Sequence, residues 1–343
     1  MAPRRILIIR PDRIGDVVLT TPLIRAVKRS FSGSFVGVMV GSNAAPLLQG
    51  NPNVDLIITD DPRGKDSGKA GFWRMVKFLR SQKFDTGLMP LPRERHAWMM
   101  LLAGISTRVG VGGKLFQIIT STQTVSRNKY IPLRHEADYV MDLGRKIGVT
   151  DDNLMPELFP RDQEKQNALR RLAVKGINPS RAIIGINPSS GGSVPNWTPR
   201  RYIQLIQSLA DRYQIVVNIS KNDIEIEEML APILRPGIAT DTGDIRELIA
   251  LCAGMDVLVS SSTGTMHIAA ALGVPTVSLF CPLTACSPQL WGPLGNRAEV
   301  ILPGPNYCQF QCPRDPKICP LEDIGVATVI QRIETVLRER RPL

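Results

Sequence analysis

The sequence predicts an α/β protein made of two Rossmann-like domains with parallel sheets facing across a cleft. Three observations predict it. At 343 residues the chain is long for a single hydrophobic core. Short apolar runs alternate with segments of helical period, the pattern of parallel strands joined by crossover helices. That alternation runs twice, interrupted once by the polar, proline-bearing stretch "VTDDNLMPELFPRDQE" at 149–164.

In the first half, strands are expected at 5–10 ("RILIIR"), 35–40 ("FVGVMV"), 54–59 ("VDLIIT"), 84–89 ("FDTGLM") and 108–111 ("RVGV"). Each is an apolar run too short for a buried helix. Helical period occupies about 19–30, 43–49, 69–82, 94–103 and 135–147. An amphipathic basic helix then runs to about Lys175. The second half opens at "AIIGINP" (182–188) and continues with strands at 214–219, 256–260, 276–280 and 299–302. Helices fit 200–212, 223–234, 244–253 and 265–272, and a last one fits about 322–340. The expected domains are 1–175 and 176–321, with 322–343 as a closing helix packed back on the first.

Forty-two basic residues against 31 acidic give a net charge of +11. Such a balance favours a polyanionic partner: nucleic acid, an anionic membrane surface or a phosphorylated substrate. Nucleic acid ranks last, for want of an aromatic stacking platform or a recognition helix. Apolar content of 43% with 21% charged residues is a globular composition. No run approaches the ~18 apolar residues of a membrane span. The N-terminal "MAPRRILIIRPDR" is too short for an export signal, so a cytoplasmic protein is expected. The six cysteines then read as free thiols, with Cys252 and Cys281 as small core residues. Cys308, Cys312 and Cys319 are spaced too loosely for a zinc site and have no histidine nearby, so metal binding is the minor reading.

Ligands of parallel sheets collect at the carboxyl ends of the strands, here the loops 10–18, 187–197, 219–223, 241–244 and 260–266. In "RPDRIGDVVLTTP" (10–22), Asp16 beside Gly15 suits a general base; the alternative is that it caps a helix starting at Val17 or Val18. Arg10 and Arg13 either neutralise it or hold an anionic substrate, and Asp12 reads as a turn residue. "NPSSGG" (187–192) offers backbone amides and hydroxyls to phosphate oxygens, or is an ordinary glycine-rich turn. It matches neither the dinucleotide nor the Walker fingerprint. "SSSTGTMHIAAALGVPTVSLF" (260–280) is a strand, a tight turn and a small-residue helix, the arrangement that presents free amides to a pyrophosphate. His267 lies in that helix's first turn. Thr242 and Gly243 either line the same cleft or belong to a helix cap.

The segment 68–84 ("GKAGFWRMVKFLRSQKF") puts Phe72, Met75, Val76 and Leu79 on one helical face and Arg74, Lys77 and Arg80 on another. Binding of anionic lipid is one reading. A core-facing helix with a solvated basic face is the favoured one. Arg93, Arg95, Arg108 and Lys114 are further candidates for holding acceptor phosphates.

Three blocks in order, "ILIIRPDRIGDVVLTTPLIRAVKRSF", "NWTPRRYIQLIQSLADRYQIVV" and "TGTMHIAAALGVPTVSLFCP", resemble the lipopolysaccharide heptosyltransferase family. These are bacterial glycosyltransferases of family 9 with the GT-B fold. The resemblance covers most of the chain. It implies inverting, metal-independent transfer from a nucleotide diphosphate sugar, usually ADP-heptose, to a phosphorylated lipopolysaccharide core acceptor. It also implies that the enzyme requires no cofactor and that peripheral contact with the inner membrane leaflet is possible.

Asp16 matches the family's base. Asn187, Pro188, Ser189, Ser190, Trp197, Ser220, Lys221, Thr242, Gly243, Ser262, Thr263, Gly264, Thr265, Met266 and His267 form the implied donor set. Arg10, Arg13, Gly15, Arg93, Arg108 and Lys114 form the acceptor set. Two positions depart from the pattern: Pro195 replaces the family's usual lysine, and Ser262 an acidic residue. Lys221, Arg200 or Arg201 would then supply the missing positive charge. The alternatives to heptosyl transfer are a different donor sugar or a non-catalytic GT-B binding protein.

Overall fold

The computed structural model describes residues 4–192, 194–220 and 223–339. The chain divides into two compact units, Met1–Phe159 and Pro160–Leu343.

The first unit runs β1 (Arg5–Arg10), α1 (Ile14–Val18), α2 (Thr21–Ser30), β2 (Phe35–Val40), β3 (Leu56–Thr59), α3 (Gly68–Ser81), β4 (Thr86–Met89), α4 (Glu94–Leu102), β5 (Thr107–Val111), α5 (Leu115–Ile119), β6 (Gln123–Val125) and α6 (Glu136–Lys146). Its six strands are parallel in the order β3-β2-β1-β4-β5-β6. Ile6, Leu7, Ile8 and Ile9 are wholly buried, as a central strand covered on both faces requires.

The second unit runs α7 (Asp162–Val174), β7 (Ile183–Asn187), α8 (Pro199–Leu209), β8 (Gln214–Asn218), α9 (Ile224–Leu230), β9 (Ile238–Asp241), α10 (Ile245–Cys252), β10 (Val257–Ser261), α11 (Gly264–Ala271), β11 (Thr276–Leu279), α12 (Pro288–Trp291), β12 (Ala298–Ile301) and α13 (Val326–Arg338). Its strands lie in the order β12-β11-β10-β7-β8-β9, again all parallel. In each sheet the strand order reverses beside the first strand, at β1/β4 and β7/β10. That reversal is where an open parallel sheet accepts a ligand.

Two expected boundaries move. The first domain ends at 159, not 175. Buried Arg25 holds the connecting segment to the first unit, donating to Asn153 O, Met155 O and Glu157 Oε2 at 2.8–2.9 Å. The helix α7 belongs to the second unit instead: Glu164 accepts two hydrogen bonds from Arg246 on α10, and Lys175 reaches Thr240 O at 2.7 Å. The closing helix α13, expected on the first domain, buries Val329, Ile333 and Val336 against α8 and β10–β12 of its own unit.

The strands β6 and β9 were not expected. "QTV" and "IATD" are short, end-of-sheet strands with little apolar content to announce them. The helix expected at about 19–30 is α2, with Pro22 in its first turn, where its missing N–H costs nothing, and an unexpected short helix, α1, precedes it. Among the described residues no helix is long and apolar enough to cross a membrane.

Candidate functional site

In the first unit the loop after β1 carries a buried charge cluster. Arg10 is only 2% exposed. Its Nε lies 2.9 Å from Asp12 Oδ1, and its Nη2 donates both to Asp16 Oδ1 and, at 3.1 Å, to Glu136 Oε1. Arg127 Nη2 donates to the same Glu136 oxygen at 2.8 Å. Three carboxylates therefore share two guanidinium groups, with Arg10 and Glu136 buried and Asp12, Asp16 and Arg127 partly exposed. Burial opposes the Arg10 charge, but Asp12, Asp16 and Glu136 outweigh it and hold the guanidinium above its ordinary value. Burial pushes the Asp12 carboxyl up to about 6 although Arg10 pulls it down.

Asp16 lies in the first turn of α1, a helix that begins at Ile14 and has Arg13 as its N-cap residue. It therefore does not cap a helix at Val17 or Val18. Arg10 holds its Oδ1, while its Oδ2 has no protein partner among the described residues. Gly15 is buried beneath the turn, and Arg13 is exposed.

The acceptor set expected from sequence separates. Arg10 is engaged by carboxylates and acts on Asp16, not on solvent. Arg108 is braced within its own unit: its guanidinium donates to Ile105 O, to Ser106 O at 3.3 Å and to Thr120 O at 2.8 Å. Arg95 grips Asp60 through two 2.9 Å bonds, and His96 Nε2 lies 3.0 Å from the same carboxylate. Burial opposes the Asp60 charge, but His96 and Arg95 outweigh it and bring the carboxyl down to about 2. Arg93 and Lys114 remain exposed, at the starts of α4 and α5. The apolar face of α3 is a core face: Met75, Val76 and Leu79 are buried. Arg74 pairs with Asp66, and Arg80 donates to Leu102 O.

In the second unit Asn187 ends β7 and is 2% exposed. Its Oδ1 accepts from Asn218 Nδ2 at 2.8 Å and from Thr265 Oγ1 at 3.1 Å. Its Nδ2 donates to Ser189 O at 2.7 Å and reaches Thr263 Oγ1 at 3.5 Å. One side chain thus ties the ends of β7 and β8 to the turn that starts α11. Asp223 accepts from Ser189 Oγ and, at 2.7 Å, from Ser220 N. Asn196 donates to Pro188 O at 2.6 Å and accepts from Tyr202 OH at 2.8 Å. Gly191 and Gly192 take φ of +57° and +68°, which a side chain would strain. Ser190, Ser262, Thr263 and Gly264 stay partly exposed at the same edge, with no side-chain cap on α11.

Several expected donor contacts are placed elsewhere. Trp197 is 2% exposed, donates to Ile324 O at 3.0 Å and meets the Tyr202 ring edge-on at 5.4 Å. It is a core residue. Met266 is wholly buried and His267 4% exposed, both turned inward on α11. Thr242 is exposed and Gly243 donates to Asp241 Oδ2 at 3.2 Å, while the cap of α10 is made by Asp244 with Glu247. Pro195 is buried, and Arg201 is held by Glu322 O and Ile324 O, which leaves Arg200 exposed. Lys221 lies outside the described residues. Cys312 and Cys319 approach to 3.8 Å, but no group of three metal-binding side chains is gathered among the described residues.

Glu136, Arg127, Asn196, Asn218 and Asp223 were not singled out in the sequence. Glu136 and Arg127 had the weakest signal, lying more than a hundred residues from Arg10.

Residues 72–318 match the family described as glycosyltransferase family 9 (heptosyltransferase). The chain belongs to glycosyltransferase family 9. It is 27% identical over 313 residues to lipopolysaccharide heptosyltransferase 2 of Escherichia coli K12, covering 87% of each chain. The family 9 glycosyltransferase of Veillonella parvula superposes with a TM-score of 0.85 at 22% identity, over 98% of this chain and 97% of that one. The ADP-heptose lipopolysaccharide heptosyltransferase II of E. coli superposes with a TM-score of 0.78 at 21% identity, over 98% and 99%. The two six-stranded parallel sheets are those of the GT-B fold. As a family 9 glycosyltransferase, the protein is an enzyme.

Proposed function

We propose that the protein transfers a heptose from ADP-heptose to a lipopolysaccharide core acceptor, with inversion, and that Asp16 is the general base. The observation that carries this reading is the state of the Asp16 carboxylate. One oxygen is fixed by Arg10 and the other has no protein partner among the described residues, in the first turn of the helix that follows the first strand. A carboxylate so held can take a proton from a hydroxyl without first breaking a bond of its own.

In the reaction, Asp16 Oδ2 receives the acceptor hydroxyl proton. The acceptor oxygen's electron pair forms the new bond to the anomeric carbon, and the bond from that carbon to the diphosphate breaks, releasing ADP. The developing diphosphate charge is met by the amides at the start of α11 and by the hydroxyls of Ser189, Ser190 and Thr263, with Arg200 as the exposed cation nearby in sequence. Arg13, Arg93 and Lys114 are the exposed cations left to hold acceptor phosphates. A glycolipid acceptor places the reaction at the cytoplasmic face of the inner membrane. The donor identity is supported by the names of the E. coli relatives.

The uncharged Ser262 and the buried Pro195 favour a second reading, transfer from a different nucleotide sugar. Product release measured across ADP-, GDP-, UDP- and CMP-sugars with a lipopolysaccharide core acceptor separates the two. ADP-heptose should be turned over fastest; preference for another donor rejects it, and binding without turnover rejects catalysis.

A further inference from the structure

Asp16 does not hold Arg10 alone, and the sharing has a consequence for a base. A single nitrogen, Arg10 Nη2, donates to Asp16 Oδ1 and to Glu136 Oε1. Glu136 is wholly buried and is anchored from its other side by Arg127 at 2.8 Å. Its second oxygen, Oε2, is buried without a hydrogen-bond partner among the described residues. A carboxylate buried so completely costs several kcal/mol unless it is compensated. A residue that only filled space at the start of α6 would not carry that charge.

We propose that Glu136 is a positioning residue for the transfer reaction. It competes with Asp16 for Arg10, and so keeps Asp16 basic while the shared guanidinium fixes where its free oxygen points. Arg127 sets the strength of that competition by taking up part of the Glu136 charge. The proposal rests on the reading of Asp16 as the base.

The charges facing this pair are few. Arg10 comes from β1, Asp12 and Asp16 from the loop and first turn behind it, and Arg127 from the segment after β6. The charges on neighbouring elements are occupied elsewhere: Arg25 of α2 by Glu157, and Arg108 of β5 by backbone carbonyls. The 3-10 turn packed on α1, residues 42–48, carries no charge.

The test uses two substitutions that act in opposite directions. Glu136→Gln keeps the shape and removes the negative charge, so Arg10 falls more fully to Asp16 and weakens it as a base. The plateau kcat should fall about 10-fold, and the acid limb of the pH–rate profile should move to lower pH. Arg127→Gln leaves Glu136 to draw harder on Arg10, and the acid limb should move to higher pH. KM for the donor should stay constant in both. A merely structural role would lower activity and Tm in both variants without moving the limb in opposite senses. Unchanged limbs, or limbs that move together, overturn the proposal. Asp16→Asn runs in parallel: if it keeps turnover, the base reading itself fails; if it is inactive while Glu136→Gln behaves as wild type, only the positioning role fails.

Discussion

Thr265 Oγ1 donates a hydrogen bond to Asn187 Oδ1 at 3.1 Å, across the point where the second sheet reverses its strand order. The two residues are 78 apart in the chain, and the bond fixes the turn before α11 against the end of β7. The same Asn187 oxygen accepts from Asn218, so one side chain sets the spacing of three strand ends.

Asn187→Ala removes this tie and leaves the buried Thr265 hydroxyl and the part-buried Asn218 amide without their acceptor, at about 1–3 kcal/mol for the buried one. The loops that carry Ser189 and Thr263 then lose their register. The expected result is a 10-fold or greater rise in KM for the nucleotide sugar, measured by steady-state kinetics, with a smaller fall in kcat. Asn187→Asp retains an acceptor but replaces the Nδ2 donor and adds charge where the diphosphate would lie, so donor affinity by calorimetry should fall further.

Asp60 is fully buried and held by Arg95 and His96. Its carboxyl lies at about 2 in the folded protein, against 3.8 when free. The stabilisation is complete above pH 4 and is lost as pH falls toward 2, because only the ionised form is favoured by the fold. Asp60→Asn should cost about 2–3 kcal/mol at pH 7 by urea unfolding. The gap to wild type should narrow as the pH is lowered from 5 to 3.

Asp12 has the opposite sign. Burial raises it from 3.8 to about 6, so the folded protein binds a proton that the unfolded chain has released. Its ionisation therefore costs stability as pH rises from 4 to 6, and the cost remains above that. The order of magnitude is about 3 kcal/mol. In Asp12→Asn this slope disappears, so the difference in Tm between variant and wild type should be more favourable to the variant at pH 8 than at pH 4.5.

Trp197 is expected to matter to the fold and not to the donor. Trp197→Ala opens a cavity beside Tyr202 and removes one of the two hydrogen bonds to Ile324 O, and should cost about 3–5 kcal/mol in chemical denaturation. Trp197→Phe keeps most of the packing, and its KM for the nucleotide sugar should match wild type.

Much of the scaffold was legible because buried parallel strands write themselves as uninterrupted apolar runs. "ILII" and "IVV" could hardly be anything else, and the loops that follow them come with the strands. Two classes of feature were not legible. The edge strands β6 and β9 are only three and four residues long with few apolar residues, too short to write a pattern. Residues recruited from distant segments, such as Glu136 and Arg127 around Arg10, leave no local pattern. A glutamate in the first turn of a helix is indistinguishable in sequence from one serving the helix dipole. Trp197 and Arg108 show the converse: residue types that suit a ligand also suit a core or a brace, and burial decides between them.

In the proposed mechanism Asp16 takes the proton of the acceptor hydroxyl. The most direct test is Asp16→Asn in a single-turnover assay of ADP release with saturating nucleotide sugar and acceptor, alongside calorimetric donor binding. The expected result is a rate reduced by about 100- to 10,000-fold with donor affinity unchanged. Turnover by Asp16→Asn within a few-fold of wild type would contradict it.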